Sequence, residues 1–196
     1  VFSTIVFIVS VTLLQIGRMY YKGVITTKTQ EASRSAISAV AEEIQFATGI
    51  VVASTAPVMY GPVADQIGIS AICVGNTRYS YVTDRRLDPG TSHNSTTRQI
   101  RHVLWQDKRS ADVVGCTPAD LTVEDPTDNN PSNGITGREL LDESMRLGAF
   151  SITANDPSQI SIRVIYGDND LVEGDGTGSP TGCLTRVVGS EWCAVS

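Results

Sequence analysis

The residues best placed to do chemistry are four cysteines, Cys73, Cys116, Cys183 and Cys193, and that chemistry is cross-linking. None forms a Cys-x-x-Cys pair, and His93 and His102 are far from any tight cysteine pair, so the spacing does not suit zinc. Four cysteines allow three disulfide pairings. Cys183 and Cys193 enclose nine residues, which makes 183–193 with 73–116 the natural choice among the three. Each bridge would contribute about 2–4 kcal/mol, more for the longer loop. Disulfides also place the domain outside the reducing cytoplasm.

A second group, Asp168, Asp170, Glu173 and Asp175, packs four carboxylates among glycines. Calcium takes six to eight oxygen ligands, and such a loop offers several, although its spacing is not that of an EF-hand. A solvated turn is the ordinary reading, with calcium ligation the alternative. His93 and His102 stand in no nucleophile setting of the Gly-x-Ser-x-Gly kind. No glycine-rich phosphate loop follows a strand and opens a helix. Asn94-Ser95-Thr96 is a formal glycosylation acceptor. The expectation is a protein without catalytic residues or cofactor.

The 196 residues fit one domain plus a long helix. The formal net charge of −6 shows no general basic face, so nucleic acid is not an expected partner. Residues 1–109 carry 11 basic and 7 acidic side chains, and residues 110–196 carry 4 and 14. Either the acidic half is simply a solvated surface, or basic and acidic halves of neighbouring subunits face each other.

Residues 1–16 contain no charge. As a helix they rise about 24 Å, short of the roughly 30 Å hydrocarbon core of a bilayer. Ser3, Thr4, Ser10, Thr12 and Gln15 dilute their hydropathy. No small-residue cleavage site follows, so a cleaved signal peptide is disfavoured. Arg18, Lys22, Lys28 and Arg34 all follow the run, which by charge alone would keep the domain in the cytoplasm, against the cysteines. A basic segment preceding Val1 resolves that conflict. Tyr20 and Tyr21 read as interfacial anchors.

From about residue 29 to 48 the pattern turns amphipathic, with Ala36, Ile37, Val40, Ala41, Ile44 and Ala47 at helical spacing. The division is therefore 1–28, an apolar half-helix, and 29–196, a head that includes an amphipathic half-helix over 29–54. Gly49 is a candidate terminator and Pro57 the outer limit. Gly17 and Gly23 bracket the junction, where a bend or local unwinding is expected, since each costs about 1 kcal/mol against Ala in a helix.

Beyond Pro57, strands are expected over 69–75, 78–83, 100–107, 150–155 and 159–167, the last two forming a hairpin. Residues 117–134 read as a surface loop, and 136–148 as a short helix capped by Thr136 with Glu139 and stopped by Gly148. The fold class is α+β, a long N-terminal helix packed on an antiparallel β-sheet head.

This layout resembles the type IV pilin superfamily, which includes pilins, minor pilins and secretion-system pseudopilins. The matching features are the apolar half-helix Val1–Ile16, its amphipathic continuation and the strand-rich remainder. Cys183 and Cys193 resemble the disulfide-bounded loop near the end of many pilins. The resemblance departs in two places. The methylated Phe and the Glu at the fifth position usual in the family cannot be assigned, and the mid-helix Pro is missing. Residues preceding Val1 would supply the first two.

The resemblance implies a structural subunit of an extracellular filament serving adhesion or twitching motility, held in the inner membrane before assembly. Its implied partners are further copies, other pilins and the pilus assembly machinery. The assembly interface would be Val1, Phe2, Ile5, Val6, Phe7, Ile8, Val9, Val11, Leu13, Leu14 and Ile16. Reburying those eleven side chains in a helix bundle is worth on the order of 15–30 kcal/mol gross per subunit. The alternatives are a minor pseudopilin of a type II-like secretion system and a membrane-anchored extracellular binding domain or enzyme acting as a monomer.

Overall fold

A computed structural model describes residues 2–47, 50–51, 57–60, 67–83, 100–108, 115–122, 126, 137–142, 145–152, 159–167, 172–173, 182–183 and 193–196. Among the described residues, α1 (Phe2–Phe46) is the one helix and the elements after it are strands. The strands are β1 (Ile50–Val51), β2 (Val58–Tyr60), β3 (Ile67–Val74), β4 (Thr77–Tyr81), β5 (Leu104–Lys108) and β6 (Arg138–Glu139). After them come β7 (Met145–Ile152), β8 (Ile160–Tyr166), β9 (Val172–Glu173), β10 (Gly182–Cys183) and β11 (Ala194–Val195). The class is α+β.

A six-stranded antiparallel sheet runs β1-β3-β4-β5-β6, with β2 also on β3; a three-stranded sheet runs β11-β8-β7, and β9 pairs with β10. The turn between β3 and β4 places Gly75 at φ 57°, the left-handed region that glycine enters without a Cβ penalty. Cross-strand partners point to one face of a sheet. In the larger sheet Cys73, Arg78 and Asp107 are such partners, and so are Ala71, Ser80 and Trp105. The other face carries Ile72, Tyr79, Gln106 and Arg138.

Both faces are covered. Tyr79 meets α1, its hydroxyl donating to the Ala39 carbonyl at 3.3 Å, and Phe150 of β7 packs against Tyr79 and Tyr81. The opposite face is covered by residues 116–122. There Arg78 donates to the Thr117 carbonyl at 3.0 Å, and the Ala119 amide donates to the Ser80 hydroxyl at 2.8 Å. The core joins Ala36 and Val40 of α1 to Ile72, Leu104, Leu147 and Val164 of the two sheets.

Three expectations are corrected. The helix ends at Phe46, short of residue 54, and Ile50–Val51 instead pair with β3. Residues 117–122 are not a surface loop throughout, because Pro118, Ala119, Leu121 and Thr122 are buried on the sheet. Residues 138–139 and 145–152 are strands, not parts of one helix. The Glu139 carboxylate accepts from the amides of Val103 and Leu104, both at 2.9 Å, and of Leu141 at 3.1 Å. Gly137 lies against the Trp105 indole so closely that a Cβ there would collide with it. Those sheet-edge contacts outweigh the capping pattern of Thr136 with Glu139.

Candidate assembly surface

The buried residues of α1 are Ile25, Thr29, Ala32, Ser33, Ala36 and Val40, one stripe at helical spacing. Every one lies at or beyond residue 25. The C-terminal half of the helix is thus locked to the head, while residues 2–24 carry no buried side chain. Additional ties fix the locked half. Glu43 accepts from the Thr77 hydroxyl at 2.9 Å, and the Ser33 and Ser196 hydroxyls are hydrogen-bonded to each other. Ser196 also extends the β11–β8 pairing, its amide donating to the Val164 carbonyl at 3.0 Å.

The free half is a stalk of exposed apolar side chains. Phe2 is 82% exposed, Phe7 70% and Leu14 67%, and Ile5, Val6, Ile8, Val9, Val11, Leu13 and Ile16 are exposed as well. Val1, the remaining residue of the expected interface, lies outside the described residues. By length and composition α1 is apolar enough to cross a membrane. Its polar positions are partly neutralised from within. The Ser10 hydroxyl donates to the Val6 carbonyl at 2.9 Å and that of Thr12 to Ile8 at 2.8 Å, so neither needs water. Below the head the surface changes, with exposed Arg18, Tyr20, Tyr21 and Lys22. The helix passes through Gly17 and Gly23 without interruption, so no local unwinding occurs at the junction.

The cysteines are joined as Cys73–Cys116 and Cys183–Cys193, with Cα atoms 5.7 Å and 5.8 Å apart. The first bridge anchors residues 116–122 to β3; the second joins β10 to the residue before β11. Asp168, Asp170, Asp175 and His93 lie outside the described residues, as does the side chain of Glu173 in β9. Among the described residues no group of His, Cys, Asp and Glu could hold a metal ion. His102 is only partly exposed: its ring packs on Trp105, and its Nδ1 lies 3.4 Å from the Glu139 carboxylate.

Two features were not expected from the sequence. Arg78 and Asp107 form a buried ion pair, the guanidinium Nε donating to Oδ1 at 2.9 Å and its Nη2 bonded to Oδ2. A polar cavity of about 180 Å³ lies beside it, lined by Thr77, Gln106, Asp107, Lys108 and Arg138. The Arg138 guanidinium donates to the Gln106 side chain at 2.8 Å there, and the Gln106 amide to the Tyr79 hydroxyl at 3.4 Å. Charges on a strand read as solvated, and only the register with the residues covering the sheet reveals that Arg78 and Asp107 are buried.

Comparison with family models, with curated proteins and with solved structures returned no match.

Proposed function

We propose that the chain is a structural subunit of an extracellular filament of the type IV pilin kind. It is held first in a membrane by the apolar half of α1 and then bundled with other copies through the same surface. The head, braced by two disulfides, faces outward for adhesion or motility, and no catalytic role is assigned to it. The observation that carries this reading is the single unbroken helix with one half locked to the head and the other bare. A continuous helix passes the position and rotation of the head directly to the stalk, which a flexible membrane tether would not do. Bare apolar surface of this length needs either lipid or copies of itself.

Val9→Asp tests the reading. A charge in the middle of the apolar stalk should abolish filament recovery from sheared cell-surface material, while the head keeps its unfolding midpoint. The competing reading, a monomeric anchor, requires only hydrophobicity over residues 2–16. A polyleucine replacement that retained full function would overturn the filament reading in favour of an anchor.

A further inference from the structure

Between the apolar stalk and the head lies a segment with its own chemistry. Residues 2–30 contain no aspartate or glutamate, and their only charges are Arg18, Lys22 and Lys28, all exposed. The nearest acid is Glu31. At 1.5 Å per residue the uncharged stretch 2–16 spans about 22 Å, and Ile25, where the head begins to cover the helix, lies about 13 Å beyond it. A headgroup layer is about 5–8 Å thick on each side of the hydrocarbon, so this cationic segment sits at its depth when the stalk is inserted.

The segment is also concave. Met19, Tyr20, Gly23, Val24, Thr27 and Lys28 line an open notch of about 400 Å³. Gly23 contributes no side chain to it, and a Cβ placed there would stand in open space. Gly23 and Thr27 are each two residues from the head-facing Ile25, about 200° around the helix, so the notch opens away from the head. The Thr27 hydroxyl donates to the Gly23 carbonyl at 2.9 Å, which satisfies the polar groups of the floor internally. What remains is an apolar hollow with an ammonium at its rim.

We infer that this notch binds one anionic phospholipid of the head-side leaflet, with its phosphate at Lys28 and the glycerol end of an acyl chain in the hollow at Gly23. The charge complementarity is one-sided, three cations with no acid within the segment, and the hollow distinguishes a seated lipid from diffuse attraction. A lipid held there covers the notch in the membrane-resident subunit and must leave when copies pack together. The inference rests on the proposed membrane stage of the stalk.

The test uses the full chain. Flotation with phosphatidylcholine vesicles first measures insertion alone. The chain in neutral detergent is then offered phosphatidylglycerol or phosphatidylcholine, and bound lipid is counted by native mass spectrometry. Preferential retention of one phosphatidylglycerol is expected, weakened about fivefold by Lys28→Gln. Gly23→Leu, which fills the hollow without changing charge, should weaken it comparably, while Lys108→Gln in the head should have no effect. Equal retention of the two lipids, or wild-type retention by Gly23→Leu, would overturn the site. Displacement by inorganic phosphate would do the same, by making the ligand a free anion. Failure to float overturns the membrane stage and this inference together; flotation without lipid preference removes this inference alone.

Discussion

Tyr79 shows how a single buried side chain makes the head sensitive to alkali. Its ring is fully buried between α1 and β7, and burial, with Glu43 nearby, raises its hydroxyl above the ordinary 10.0. Burial raises Tyr81 in the same direction. Below about pH 10 both folded and unfolded chains keep these protons, and the neutral phenols contribute their full stability. As pH rises further, the unfolded chain loses them first, so unfolding is progressively favoured until the folded phenols also ionise. The urea midpoint of the wild-type head should therefore fall as pH rises above about 10, and that of Tyr79→Phe should fall less. Parallel slopes for the two proteins would show that Tyr79 is not the cause. At neutral pH the same substitution removes only the long hydrogen bonds to Ala39 and Gln106, at a cost of about 1 kcal/mol.

At the scale of elements, the two disulfides restrain segments of different length and should differ in worth. Cys73–Cys116 closes a sequence separation of 43 residues and Cys183–Cys193 one of 10. Chain entropy assigns about 4 kcal/mol to the first and about 2.7 kcal/mol to the second. The first also holds residues 116–122 over Arg78 and Ser80, so Cys73→Ala with Cys116→Ala should lower the melting temperature further than the pair at 183 and 193. The reverse order in a calorimetric scan would count against that account. Which elements form was largely legible in sequence, because α1 carries a clear helical stripe and β3, β4 and β8 read as runs of β-forming residues. The segment 136–148 misled because Thr136 with Glu139 matches a helix cap and Gly148 a helix stop. What decides against a helix is distant in sequence: the amides of Val103 and Leu104, which need the Glu139 carboxylate, and the Trp105 indole over Gly137. The apolar composition of the candidate surface was equally plain. Its boundary was not, since only the position of Ile25 under the head marks where the stalk begins.

For the whole molecule, that boundary defines which part can stand alone. Ile25, Thr29, Ala32 and Ser33, four of the six buried residues of α1, belong to the head by burial. Among the described residues 2–23 none is buried, so a chain starting at residue 24 should be soluble, fold cooperatively and keep both disulfides. A chain starting at residue 34 loses all four buried positions and the hydroxyl pair of Ser33 with Ser196. The lost burial amounts to about 3–5 kcal/mol, a large part of the 5–15 kcal/mol that stabilises a typical domain. Chemical denaturation of the two truncated chains, under oxidising conditions, measures the difference directly. Equal midpoints would mean that the helix contributes nothing to the head above residue 33, and the stalk would then be hinged rather than rigid. A deficit near the expected size would mean that the head and the proximal stalk are one cooperative unit, so that any force or rotation applied to the head is delivered to the apolar surface below it.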